Sequence, residues 1–149
     1  MRILFIGSLL LMVSGCGDSG PKDSVYKLVP VSGTVTFDGK PAVGAFISFK
    51  PTGTTNGNGA SAAVDAVGKF KITNPNGKEG IPVGSYVVLV SRIVLAEGSP
   101  APGSPGFIPN AGAETMPPLW SDISKAGDHN TITIPDIGNT KLEFAITKE

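Results

Sequence analysis

The chain has little of three things that many protein classes need: cysteine, histidine and charge. A single cysteine in 149 residues excludes an internal disulfide, and one histidine leaves a structural zinc site short of ligands. Charged residues make up 16% of the chain, against about a quarter in average domains. The 12 basic residues balance the 12 acidic ones, so there is no excess of positive charge with which to bind nucleic acid.

The chain is instead rich in residues that end helices and form turns. Its 20 glycines and 13 prolines interrupt every stretch long enough for several heptads, which excludes a coiled coil. A hydrophobic fraction of 40% without net charge excludes a charged, disordered tail. The length allows one domain and a leader.

The first fifteen residues have the pattern of a secretory signal peptide. Met1-Arg2 supplies one positive charge, and residues 3–13 form an eleven-residue apolar run. A membrane-spanning helix needs about 20 apolar residues, so this run is too short to remain as an anchor. The sequence therefore predicts export with removal of residues 1–15.

The end of the leader, Val13-Ser-Gly-Cys16, resembles the lipobox of bacterial lipoproteins. The resemblance implies cleavage between Gly15 and Cys16 and attachment of a diacylglyceryl group to the Cys16 thiol, which makes a membrane the first partner. Gly17, where inner-membrane lipoproteins carry Asp, favours the outer membrane. Residues 16–28 then form a flexible tether and residues 29–149 the folded domain. The alternative is a buried N-terminal helix that contains a free cysteine by chance.

Beyond the tether, apolar residues recur at every second position, which is the signal of β-strands. The alternation predicts seven strands, at residues 31–37, 45–49, 60–64, 69–73, 84–92, 132–134 and 142–146. Both faces of residues 85–91 are apolar, so this strand is expected to be the most buried. Turn signals at short intervals and no long helical pattern predict an all-β fold, an antiparallel β-sandwich.

Three motifs in order resemble the carboxypeptidase regulatory-like domains. They are Val31-Ser-Gly-Thr-Val-Thr-Phe-Asp-Gly-Lys-Pro with the strand after it, Asp65-Ala-Val-Gly-Lys-Phe70, and Pro82-Val-Gly-Ser-Tyr-Val-Val88. The resemblance spans residues 31–92 and implies a seven-stranded, transthyretin-like (prealbumin-like) sandwich. It implies no catalytic residues, because in that family the domain is an accessory to an enzyme. Residues 94–114 depart from the pattern and are interpreted as an enlarged loop.

The segment 93–121 is a long loop rich in proline and glycine, and such loops are usually functional or disordered. It carries Phe107 and Trp120, which are candidate ligand contacts, since an indole ring can stack on a sugar or a peptide. The favoured interpretation is that Leu119 and Trp120 close one end of the core. Residues 94–116 are predicted to be the least ordered part of the domain, with order returning near Pro117.

The sequence offers no convincing catalytic or metal site. His129 lies near Ser124 and Asp128, but neighbouring loop residues point in different directions and do not form a triad. No cofactor, metal ion or catalytic residue is therefore predicted. The leading hypothesis is a non-catalytic, lipid-anchored envelope module that binds an unknown protein or glycan. The alternative is a carbohydrate- or peptide-binding domain that uses the 93–121 loop, and a hydrolase comes third.

Overall fold

The computed structural model describes residues 26–99, 104–105 and 111–148. The predicted leader, Gly15, Cys16 and Phe107 lie outside these residues. No helix in the described ranges is long and apolar enough to cross a membrane.

The described part of the chain is an all-β fold with one short helix. Its strands are β1 (Leu28–Val29), β2 (Val31–Phe37), β3 (Lys40–Pro41), β4 (Phe46–Pro51), β5 (Ala60–Ala63), β6 (Lys69–Lys71), β7 (Ile81–Pro82), β8 (Gly84–Ser91), β9 (Ile93–Val94), β10 (Ala113–Glu114), β11 (Thr131–Ile134) and β12 (Asn139–Ile146). Helix α1 (Pro118–Ser121) is a single turn, followed by two 3-10 turns, Ile123–Lys125 and Asp128–Asn130.

One four-stranded sheet has the order β11-β8-β4-β5 and is antiparallel throughout. Its central strand β8 turns Tyr86, Val88 and Val90 inward, and each of them is fully buried. This strand, which the sequence predicts to be the most buried, lies at an inner position of the sheet, and none of its residues is exposed. Burial raises the pKa of Tyr86 to about 12, and its hydroxyl donates to the Pro82 carbonyl at 2.7 Å.

The second sheet is built around β2, which pairs with β12 on one edge and with β3 and β6 on the other. β12 runs parallel to β2, so the prediction of a purely antiparallel sandwich is wrong for this pair. The physical reason is that β11 and β12 do not form a hairpin: the turn between them carries the chain from one sheet to the other. Alternation of side chains shows which residues are buried, and it does not show which strand is the partner.

The two sheets pack on each other across one hydrophobic core. The Phe49 ring of β4 lies 6.2 Å from the Phe70 ring of β6 across the space between the sheets, and Phe70 lies 6.1 Å from Phe144 of β12 within the second sheet. These centroid distances are in the range of favourable ring pairs. The inward-facing apolar sets read from the sequence thus meet in a single core.

Two turns, one before β6 and one after β2, depend on residues of the sequence motifs. Asp65 Oδ1 accepts the backbone N–H groups of Val67 (2.9 Å) and Lys69 (2.8 Å), which closes the turn before β6. Asp38 and Gly39 both have positive φ, 50° and 75°, as a two-residue hairpin turn between β2 and β3 requires. Aspartate and glycine tolerate these angles better than other residues do.

Both ends of the segment 93–121 form regular structure, and the statement that residues 94–116 are the least ordered part of the domain stays a prediction. β9 pairs with β10, and the chain between them includes the residues that the structure does not describe. Hydrogen bonds from Thr115 and to Glu114 fasten the second end to Arg92, directly after β8. A ladder of two residues on each side is too short to produce an alternating pattern, so the sequence did not predict these two strands.

Candidate functional site

A groove of about 820 Å³ lies where β8 leads into the segment 93–121. The turn after β2 and the end of β12 form one wall, and α1 with the 3-10 turn after it forms the other. Its apolar lining consists of Phe37, Met116, Pro117, Pro118 and Leu119. Its charged lining consists of Asp38, Arg92, Glu114, Lys125 and Lys148.

Glu114 joins the two ends of the segment at the edge of this groove. Its Oε1 accepts the backbone N–H groups of Arg92 (2.9 Å) and Met116 (2.8 Å), and its Oε2 accepts the hydroxyl of Ser91. The N–H and the hydroxyl of Thr115 both donate to the Arg92 carbonyl at 2.9 Å. Both carboxylate oxygens of Glu114 are therefore engaged within the protein.

We expect Glu114→Gln to destabilise the protein at neutral pH and to lose this effect in acid. Partial burial by itself raises the pKa of Glu114, but hydrogen bonds from Ser91, Arg92 and Met116 outweigh it and hold the pKa below its ordinary value. A carboxyl with a lowered pKa stabilises the fold above its unfolded pKa, and this contribution disappears as the pH falls through the lowered value. Solvent screening limits the cost to about 1 kcal/mol or less at pH 7.

The measurement is urea unfolding of both proteins at pH values from 7 down to 3. Glu143→Gln is the matched control, because the Glu143 side chain is exposed and has no hydrogen bond among the described residues. A constant difference between wild type and Glu114→Gln across this range would show that the charge of Glu114 does not contribute.

Three cations, Arg92, Lys125 and Lys148, line the groove and form no salt bridge among the residues that the structure describes. The Arg92 guanidinium lies 5.4 Å from the centre of the Phe37 ring, a cation–π distance. Within the ranges that the structure describes, the only ion pair joins Lys71 and Glu79, on a different face. Lys125 interacts electrostatically with Asp122 but forms no salt bridge with it, so its ammonium group, like the side chains of Arg92 and Lys148, remains able to meet an incoming group.

Helix α1 is held against the domain by contacts of Trp120 and of the Leu119 carbonyl. The Trp120 ring packs edge-on against Phe144 at 6.0 Å and against His129 at 5.7 Å. The Leu119 carbonyl lies 3.0 Å from His129 Nε2 and accepts the amide of the fully buried Asn130 at 3.3 Å. One turn of helix therefore lines the groove with one side and contacts the core with the other.

Trp120 thus lies against the core, the position that the core-closing interpretation predicts, while Leu119 does not. Leu119 is 40% exposed, and the buried residue of the segment is Met116, 3% exposed. The pairing of Leu119 with Trp120 as core residues is wrong because neighbouring residues in a helix point about 100° apart. Met116 lies two residues before the helix, and its side chain packs in the core.

Ser124, His129 and Asp128 do not form a hydrogen-bonded triad in the structure. A carbonyl can only accept a hydrogen bond, so the contact with Leu119 requires His129 Nε2 to donate. Asp122 Oδ1 accepts the N–H of Ser124 at 2.8 Å, and hydrogen bonds from Ser124 lower the pKa of Asp122. Among the described residues, no hydrogen bond joins Ser124 or Asp128 to His129.

Sequence analysis named Trp120, which packs beside the groove, and Leu119, which lines it but was expected in the core, and it missed the groove itself. Its charged residues are dispersed in the chain at positions 38, 92, 114, 125 and 148, so no local motif brings them together. The pair Ser91-Arg92 at the end of the most buried strand was the available signal, because a charge that follows a buried strand must lie at the sheet edge. No cluster of three metal-binding side chains occurs among the residues that the structure describes.

Comparisons of the chain with protein-family models, with curated proteins and with solved structures find no match.

Proposed function

We propose that the protein is a non-catalytic interaction module of a bacterial cell envelope, lipid-anchored through Cys16 and displaying one domain on a short tether. The groove between β8, α1 and the end of β12 is its docking site. The observation that carries this proposal is the combination of an apolar floor with three cations that form no salt bridge among the described residues, within walls held by internal hydrogen bonds. Such a preformed site loses little free energy to ordering when a partner binds.

The fold of this module is, in our proposal, a seven-stranded sandwich of the transthyretin-like type. Two packed sheets, the Asp65 turn before β6 and the Asp-Gly hairpin after β2 support it, since they are the features that the three motifs lead one to expect. The non-catalytic role is supported by the engagement of His129 Nε2 and of both Glu114 oxygens in structural hydrogen bonds.

The polar groups of the groove favour a protein partner over a neutral glycan. Sugars are hydroxyl-rich ligands that need acceptors and an exposed aromatic ring, whereas the Glu114 oxygens are occupied, Arg92 covers Phe37, and Trp120 contacts the core. The carbohydrate-binding alternative would gain from quenching of Trp120 fluorescence by neutral oligosaccharides.

A photo-crosslinking amino acid at position 119 tests the docking site in intact cells. Leu119 is exposed at the groove, and Lys50, exposed on β4 at the far end of its pairing with β8, is the control position. We expect a discrete crosslinked species from position 119 and none from position 50. Equal or absent crosslinking at the two positions would contradict the assignment of the groove.

Replacing Cys16 with alanine tests the anchor. We expect the variant to leave the membrane fraction, or to accumulate as an uncleaved precursor, because lipidation supplies the acyl chains that hold the domain and precedes cleavage. Several acyl chains are needed for stable attachment, so no other part of the exported chain is expected to replace them. Cell fractionation with immunoblotting measures both outcomes. A cleaved protein that stays on the membrane would exclude lipid attachment at Cys16, and fractionation of the wild type will also test the proposed outer-membrane location.

A further inference from the structure

The side chains that line the groove can donate hydrogen bonds to a ligand and have little capacity left to accept them. Arg92, Lys125 and Lys148 carry only donors. Glu114 uses both oxygens internally, and Asp38 Oδ1 accepts the backbone N–H of Lys148 at 2.8 Å. Among the residues that line the groove, the three cations outnumber the two carboxylates, and the third carboxylate nearby, Asp122, interacts with only one of these cations, Lys125. A ligand that brings acceptors and a negative charge therefore suits the lining best.

The floor of the groove requires an apolar group beside that charge. Met116 closes it from below, and Leu119 with the two prolines of the α1 N-terminus forms an aliphatic wall. Phe37 adds an aromatic surface under the Arg92 guanidinium. A ligand that carried charge alone would leave the exposed Leu119 side chain in water, and burying such apolar surface adds affinity.

We infer that the groove binds a peptide segment in which an acidic residue adjoins a large apolar residue. The inference rests on the proposed function and names the ligand class of the same site. The carboxylate would meet Arg92, whose planar guanidinium suits two parallel hydrogen bonds, with Lys125 and Lys148 on either side. The apolar side chain would lie on Met116 and Leu119. A volume of about 820 Å³ is large enough for two or three side chains.

Two other anionic partners fit the groove less well. An acidic polysaccharide supplies carboxylates but no apolar side chains for the floor. An anionic bilayer presents a flat surface, whereas the three cations surround a concave site. Both partners enter the experiment as competing outcomes.

Fluorescence polarisation with two labelled octapeptide pools tests the inference on the full chain in non-ionic detergent. One pool has a central Glu next to Leu, Ile, Phe or Met in a Gly-Ser context, and the other has Gln in place of Glu. We expect the Glu pool to bind at least about tenfold more tightly, with an advantage that shrinks as salt is raised. The double variant Lys125→Gln/Lys148→Gln should lose about five- to tenfold in affinity for the Glu pool. Lys50→Gln, which removes one positive charge elsewhere, should leave that affinity unchanged.

Several results would overturn the inference. Equal binding of the two pools would reject the acidic ligand and leave the docking site itself standing, whereas crosslinking equal at positions 119 and 50 would reject the site. Tighter binding of polygalacturonate or of phosphatidylglycerol vesicles than of the Glu pool would assign the groove to a polysaccharide or to a membrane. Equal losses in Lys50→Gln and in the double variant would show a general effect of charge.

Discussion

Replacing Trp120 with alanine is expected to lower the free energy of unfolding by about 2–4 kcal/mol. The indole ring packs against Phe144 of β12 and against His129, and it is the only large side chain of α1 that contacts the core. Removing it leaves a cavity between the helix and the second sheet. The expected cost is below that of a fully buried tryptophan because the ring is partly exposed. Urea or thermal unfolding followed by far-UV circular dichroism measures it.

Two matched changes show whether this effect is specific to the ring. Leu119→Ala changes the adjacent residue of the same helix, which is 40% exposed, and should cost less than about 1 kcal/mol. Replacing residues 97–106 by a Gly-Ser pair should leave stability nearly unchanged, because the β9–β10 ladder lies outside the deletion. If the deletion unfolds the protein while Trp120→Ala has no effect, then the segment, and not Trp120, stabilises this end of the domain.

Replacing Gly33 with alanine is expected to cost about 3 kcal/mol or more, because no room exists for a methyl group between β2 and β12. A Cβ atom at this position would lie 2.1 Å from the carbonyl oxygen of Leu142 and 2.7 Å from its carbonyl carbon. Both are backbone atoms, so only a shift of one strand can relieve the overlap. That shift would disturb the parallel pairing of β2 with β12 on which the second sheet depends.

Gly39→Ala is the matched control for this substitution. Gly39 has φ 75° and no heavy atom within 4 Å of a Cβ, so its replacement tests backbone strain without steric overlap. The expected cost is about 1 kcal/mol. Denaturant unfolding of the two variants should rank Gly33→Ala as clearly the more destabilising. A reversed order would mean that β12 can move away from β2 at little cost.

The strands were predictable wherever a long run of alternating residues met a clear turn signal. β2 was predicted with its observed bounds, and β8 ends within one residue of the predicted position. β12 begins three residues earlier than predicted, because Asn139 belongs to the strand although its residue type favours turns. The two-residue strands β1, β3, β7, β9 and β10 were not predicted, since two residues show no periodicity.

The sequence by itself determined the class of fold and the residues of the core. Burial of one face of a strand places apolar residues at every second position, and this alternation is visible in the sequence. Only the tertiary structure decided that β12 lies parallel to β2, that Met116 in place of Leu119 enters the core, and that Arg92, Lys125 and Lys148 meet around one groove. Strand partners depend on long-range packing that leaves no local pattern. The three cations are separated by up to 56 positions in the chain, from Arg92 to Lys148, and only the folding of both sheets brings them together.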